Sequence, residues 1–372
     1  MTDAAADMSR GRLTGWPARL IASRKFQKWA TRSVFTRGVV RREGAALFDL
    51  LSGFCQSQIL MALVQFDIPR MVLDRPLSAD ALAHRCNVPL DRMVILLRAA
   101  VALKLLKARR GGTFGTTRRG AALVGVPGLA AMIRHHDVLY RDLADPAAFF
   151  RGETETELAH FWPYVFGGAM QPEVAATYSD LMAQSLVLVA EDSLRQIDLG
   201  GVKTLMDIGG GSGAFLEIVG QAYPKIEMIL FDLDEVAPAA QARFDRARMG
   251  GRTRIACGSF KTDSIPRGAD AISLVRVLYD HSDKTVISLL AKCFEALPPN
   301  GRLIITEPML GGDAPEPAGD VYFALYTLAM QTGKTRSVAE ICALCVAAGF
   351  TVVATPKPFR PFVTRCIELR KR

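Results

Sequence analysis

The chain has 372 residues, half of them hydrophobic, and a formal net charge of +9. That length allows two domains with a sizeable core. No run of 18 uninterrupted apolar residues occurs and no export signal opens the chain, so neither a membrane-spanning helix nor secretion is expected. Seven scattered cysteines (Cys55, Cys86, Cys257, Cys293, Cys342, Cys345 and Cys366) are an odd set that fits reduced thiols in the cytoplasm. The lone Cys342-x-x-Cys345 pair lies in an apolar, helix-like stretch and lacks the further clustered ligands a zinc site needs, so no metal is expected.

Four zones follow in chain order. Residues 1–42 form a basic arm: ten Lys or Arg and no acid between positions 9 and 42, interleaved with Trp16, Leu20, Ile21, Phe26, Trp29, Val34 and Phe35. Such a segment is either a solvated arm or one that lies on an anionic membrane surface, with aromatic side chains at the interface. Residues 43–125 read as a small helical domain. Helical apolar spacing runs over 47–68, Ser78 caps a helix over 77–88, and 89–109 reads as a second helix. A Gly-Gly turn between short extended pieces follows. Helix, turn, helix and hairpin make a winged helix, a fold that often binds DNA, so a transcriptional regulator is one reading. The 90–106 helix is apolar almost throughout, however, and a base-reading helix needs one polar face. Burial in a homodimer suits it better. Residues 126–198 are mainly helical and carry the aromatic cluster Phe149, Phe150, Phe161, Trp162, Tyr164 and Phe166. It is either core, dimer contact or the lining of an apolar substrate site.

Residues 199–372 alternate strands and helices. Strands are predicted at 203–209, 226–233, 253–259, 270–277 and 301–309, as in a parallel doubly wound α/β sheet. The last two, at 350–358 and 362–370, are joined by a short Arg-Pro turn and should pair antiparallel. DIGGGSG (207–213) follows the first strand and opens a helix. Gly209, Gly211 and Gly213 let the backbone turn sharply against a ligand. Nineteen residues on, Asp232 ends the second strand, where a carboxylate can hold two ribose hydroxyls. A dinucleotide loop reads GxGxxG and receives a pyrophosphate. Here GGGxG follows Asp207, an acid that suits an ammonium group and repels a pyrophosphate. This points to S-adenosylmethionine (SAM) rather than NAD.

LMDIGGGSGAFL, FDLDEV, GSFKTDSIP (258–266), RVLYDHSD (276–283), GRLIITEP (301–308) and TGKTRSVAEICALCVAAGF (332–350) resemble, in order and spacing, the small-molecule O-methyltransferases typified by plant caffeate and flavonoid enzymes. The resemblance implies a seven-stranded class I methyltransferase sheet, a winged-helix dimerisation domain that is all helical in outline, and SAM as cofactor. It places Gly209 and Asp232 on the cofactor loop and the ribose acid. Ser259 and Phe260 fall on the adenine-contacting pair, with Ser where Asp is usual, and Val275 stands where a Lys is frequent. The family's His-Asp-Trp motif, whose His is the phenol's base, is here Tyr279, Asp280 and His281. Glu307 matches one of two acids that steer that His; Thr335 stands at the other. A Tyr is a poor base near neutral pH. Either His281 replaces the base, or His135 or His136 reaches in from the middle helices, or the enzyme works by alignment with the proton leaving late. LYRDLADP, RVLYDHSD and MQTGKTRS further resemble the hydroxyneurosporene (demethylspheroidene) O-methyltransferase family of purple photosynthetic bacteria, which methylates the tertiary C-1 hydroxyl of acyclic carotenoids. That resemblance implies a hydrophobic carotenoid substrate and peripheral contact with the membrane, with no nucleic acid; a phenolic or polyketide substrate is the alternative.

Overall fold

The computed structural model describes residues 16–160 and 172–372, and the side chains of residues 17–160 and 183–372. Phe161, Trp162, Tyr164 and Phe166 of the expected aromatic cluster lie outside the described residues. The chain divides into two compact units, 1–120 and 121–372.

The first unit is mostly helical rather than all helical. Its strands β1 (Leu77–Ser78), β2 (Leu106–Arg109) and β3 (Thr113–Thr116) form a small antiparallel sheet in the order β1-β3-β2. Ser78 caps the helix Ala79–Cys86, its hydroxyl accepting the Ala81 amide at 3.1 Å, and Asn87 ends that helix in the left-handed region. The next helix stops at Ala102, seven residues short of the expected end. Lys104 turns left-handed and LKAR becomes β2, the first arm of the hairpin. One face of Leu90–Ala102 (Met93, Leu96, Leu97, Ala100) is buried with Leu63, Ile68, Leu82 and Leu106. The long helix Arg37–Gln65 runs unbroken through residues 42 and 43, where the charge pattern changes but the backbone does not. By length and composition it could cross a membrane. Leu47, Phe48, Leu50, Leu51 and Phe54 on it are all exposed.

The second unit is built on a seven-stranded sheet: β4 (Thr204–Ile208), β5 (Glu227–Asp232), β6 (Thr253–Cys257), β7 (Ala271–Val275), β8 (Arg302–Glu307), β9 (Phe350–Ala354) and β10 (Arg365–Lys371). Their order is β6-β5-β4-β7-β8-β10-β9, parallel except for β10, which runs antiparallel to both neighbours. The connection into β10 spans residues 355–364, longer than the short turn expected. Successive strand residues face opposite layers. Met206 and Ile208 pack with Leu289, Leu290 and Ile341 on one side; Leu205 packs with Phe215, Leu216 and Phe244 on the other. The carboxyl ends of β4, β5, β7 and β8 open onto one edge, where α/β sheets build their sites.

Candidate active site

On the cofactor side, Gly209, Gly211 and Gly213 all take positive φ (+68°, +57° and +74°), which a side chain would strain. A Cβ on Gly213 would lie 2.5 Å from the Phe244 ring, whereas Gly211 faces open space. A glycine the spacing argument passed over is equally constrained: a Cβ on Gly210 would stand 2.3 Å from Asp207 Oδ2. Asp207 ends up wholly buried beneath this loop. Its Oδ1 accepts the Ser273 hydroxyl at 2.6 Å and Oδ2 has no hydrogen-bond partner. Burial pushes its pKa up to about 7 against the pull of Ser273. In this structure the acid faces the loop's main chain from below and not an open cleft.

Asp232 sits at the carboxyl end of β5. Its Oδ2 accepts the Gly211 amide and its Oδ1 the Leu233 amide, each at 2.7 Å. Burial raises its pKa and these two amides oppose the rise. The carboxylate thus ties the loop to β5 and keeps lone pairs for a diol. Ser259 and Phe260 follow β6 in a turn closed by Asp263, which accepts the Ser259 amide at 2.8 Å. The Phe260 ring meets the His281 ring edge-on, centroids 5.2 Å apart, and both it and Val277 lie against Gly209. The loop, Phe260 and His281 are therefore brought together, and the open space at Gly211 is a cradle that suits an adenosine-bearing ligand.

Tyr279 and His281 face different neighbours. The Tyr279 hydroxyl accepts from Arg276 Nη2 at 3.4 Å, and the residue is only 3% exposed, so burial raises its phenol well above the usual range. His281 is held near pKa 4 by burial and by the charges of Lys261 and Arg336. Asp280 is buried with Oδ1 unpartnered, and burial with the nearby Glu307 carboxylate pushes it well up. Glu307 Oε1 accepts the amides of Val277 (2.9 Å) and Leu278 (2.7 Å), and its pKa is pushed up to about 7 by burial. Its carboxylate therefore grips the main chain of the 277–278 turn. Thr335 is engaged elsewhere: its hydroxyl donates to the Phe323 carbonyl at 3.1 Å and lies 3.0 Å from that of Thr327.

Several residues here carried no sequence signal. Arg276 takes a left-handed φ of 58° at the end of β7 and donates to the Ser185 hydroxyl at 2.8 Å. Arg336 is fully buried and donates to the carbonyls of Leu278 (2.9 Å), His281 (2.8 Å) and Lys334 (3.0 Å), with Asp283 as its counter-ion at 2.7 Å. Tyr326 and Tyr322 pair with His135 (2.9 Å) and His136 (2.7 Å). A tyrosine pair four apart in an apolar helix reads as core until its partners are seen.

The chain matches an O-methyltransferase dimerisation domain over residues 48–125 and an O-methyltransferase domain over residues 140–351, more than half its length. It is 53% identical to demethylspheroidene O-methyltransferase of Cereibacter sphaeroides, over 94% of this chain and 93% of that protein. It is 49% identical to the same enzyme of Rhodobacter capsulatus, over 99% and 92%. Among solved structures it superposes on human N-acetylserotonin methyltransferase in complex with SAM with a TM-score of 0.74, at 24% identity over 88% of this chain and 97% of that one. These matches set the DNA-binding regulator aside. The chain belongs to the O-methyltransferase family and carries that family's dimerisation and catalytic domains in one polypeptide.

Proposed function

We propose that this enzyme methylates the tertiary hydroxyl of an acyclic hydroxylated carotenoid, the reaction class that the spheroidene pathway requires. The identity of about half of all residues, over nearly the whole chain, to two demethylspheroidene O-methyltransferases carries this reading. The cofactor is S-adenosylmethionine, which when bound supplies an electrophilic methyl group. Gly209, Gly211, Gly213 and Asp232 hold it, with Asp207 bracing the loop, and Ser259, Phe260 and the His281 ring border its base. On the acceptor side, Tyr279 and Arg276 are groups that orient the alcohol and do not ionise it. The acids Asp280 and Glu307 keep that turn in shape. A tertiary alcohol is too weak an acid to be ionised beforehand, so alignment of its oxygen with the methyl is the main source of rate. Incubating the purified protein with labelled SAM and a panel of phenols, polyketides and hydroxylated carotenoids tests this. Label is expected in the carotenoids; label entering only phenols or polyketides would keep the family and sink the substrate.

The substrate's solubility bears on the basic arm. In the described part, Ser23 caps the helix Arg24–Arg32, and the turn at 33–36 leads into the long helix. Phe35 at that turn is 95% exposed, with Val34 and Trp29 exposed beside it, among Arg24, Lys25, Lys28, Arg32 and Arg37. An apolar tip ringed by cations fits an anionic lipid surface on the cytoplasmic side, each cation contributing on the order of 1 kcal/mol. The apolar face Leu47–Phe54 on the same helix is covered by a second copy of the chain, since the dimerisation domain begins there. Deleting residues 1–36, which leaves the long helix intact, is expected to release the protein from anionic vesicles. SAM affinity and the dimer should be preserved. Equal vesicle binding by both forms would reduce the arm to a solvated tail; loss of the dimer would assign it to the subunit interface.

A further inference from the structure

A tertiary alcohol that attacks a methyl group must point a lone pair at the carbon, and its O–H must therefore be donated elsewhere. The acids of this turn face the main chain and one another rather than an alcohol: Glu307 Oε1 takes the amides of Val277 and Leu278 and its Oε2 is buried, Asp280 is buried beside it with Oδ1 unpartnered, the Tyr279 hydroxyl accepts from Arg276, and the His281 ring packs edge-on against Phe260 on the cofactor side. The helix Leu129–Asp142 brings two adjacent imidazoles against two phenols of the segment that runs through the π-helical turn Pro317–Phe323 into Ala324–Met330. His135 Nε2 lies 2.9 Å from the Tyr326 hydroxyl and His136 Nε2 lies 2.7 Å from that of Tyr322. Tyr326 is the more enclosed phenol, 6% exposed, its ring centroid 6.2 Å from that of Tyr322, on a helix that packs against the Leu278–Asp280 turn.

A neutral imidazole has one N–H and one bare nitrogen. Burial lowers the pKa of both histidines, His136 to about 4, so each is neutral at pH 7. If Nδ1 holds the proton, the bare Nε2 takes the phenolic O–H, and the phenol is left with lone pairs only. Such a phenol can accept a hydrogen bond from an alcohol and cannot donate one.

We propose that His135 fixes Tyr326 as a hydrogen-bond acceptor that turns the alcohol's O–H away from the methyl donor and receives its proton. This rests on the alcohol-methylation reading above. The balance is simple. The S–CH3 bond breaks with its electron pair left on sulfur, and a lone pair of the alcohol forms the O–CH3 bond. The alcohol's proton moves to the Tyr326 oxygen while the phenolic proton moves to His135 Nε2. An alkylated oxonium is so strong an acid that a weakly basic imidazole suffices to take its proton. The donated hydrogen bond strengthens as the alcohol oxygen becomes positive, so the pair acts most in the transition state.

The test combines nitrogen NMR of imidazole-labelled protein with kinetics of Tyr326→Phe and Tyr322→Phe. In the wild type, His135 is expected with a bare, hydrogen-bonded Nε2, and Tyr326→Phe is expected to shift that resonance. Tyr326→Phe should lower kcat about 100-fold, the low end for general acid–base catalysis. KM for the alcohol should change less than threefold, SAM affinity by calorimetry should hold, and the solvent deuterium isotope effect on kcat should vanish. Tyr322→Phe should cost clearly less. A proton found on His135 Nε2, or full turnover in Tyr326→Phe, would overturn the proposal. The NMR arm needs no substrate, so its outcome stands apart from any failure of the carotenoid assignment.

Discussion

Replacing Asp232 with alanine is expected to weaken SAM binding by about 1.5–3 kcal/mol, roughly 10- to 150-fold, the scale of hydrogen bonds to a charged group. Two losses combine. The carboxylate's remaining lone pairs no longer meet the ribose hydroxyls, and the amides of Gly211 and Leu233 lose their acceptor at 2.7 Å. The second loss loosens a loop whose three left-handed glycines already carry a large entropic cost of ordering. Titration calorimetry on the folded variant measures the effect. Unchanged affinity would refute the assignment of Asp232, and NAD binding by the wild type would return the loop to the dinucleotide class.

Arg336→Met should be the most destabilising single change outside the hydrophobic core. The guanidinium is buried and serves three carbonyls at once, those of Leu278, His281 and Lys334. At about 1 kcal/mol for each bond lost, with some further cost for buried oxygens left bare, the loss is about 3 kcal/mol or more. In a unit of this size that lowers Tm by very roughly 6–12 °C. Arg336→Lys should rescue little, because an ammonium cannot span the three acceptors that a planar fork reaches. Thermal and urea unfolding of the two variants decide it; a loss under 1 kcal/mol in Arg336→Met would show that the turn holds itself.

The sheet was legible because its signals are local. The buried apolar runs of β4, β5, β7 and β8, the glycine loop after the first and the acid ending the second stand in chain order where the sheet needs them. Strand ends were less so: the reading overran β4, β5, β6, β7 and β8 by a residue or two and β9 by four, since nothing in a run's composition marks the last ladder bond. LKAR was taken for helix because leucine and lysine favour helices, and only the hairpin partner Thr113–Thr116 decides otherwise. The glycine loop and Asp232 were legible because a left-handed turn and a strand-ending acid leave glycine and aspartate at fixed spacings. The acceptor half was not. Arg276, Arg336, Tyr322 and Tyr326 act through partners between 2 and 191 residues away, and no spacing rule connects them; His135 and His136 could be named as candidates but not joined to their tyrosines. Glu307 was found by motif, yet its contacts are with peptide nitrogens and not with an imidazole.

That last contact has a consequence for how such an enzyme changes chemistry. Glu307 fastens the turn through the amides of Val277 and Leu278, and Lys334 donates its own amide to the Tyr279 carbonyl at 2.8 Å, so the main-chain path at position 279 is held without help from its side chain. A side chain mounted on a main-chain bracket can be exchanged without rebuilding the mount. The cost of an exchange at 279 therefore falls on the packing around the buried ring and on its contact with Arg276, and not on the path of the backbone.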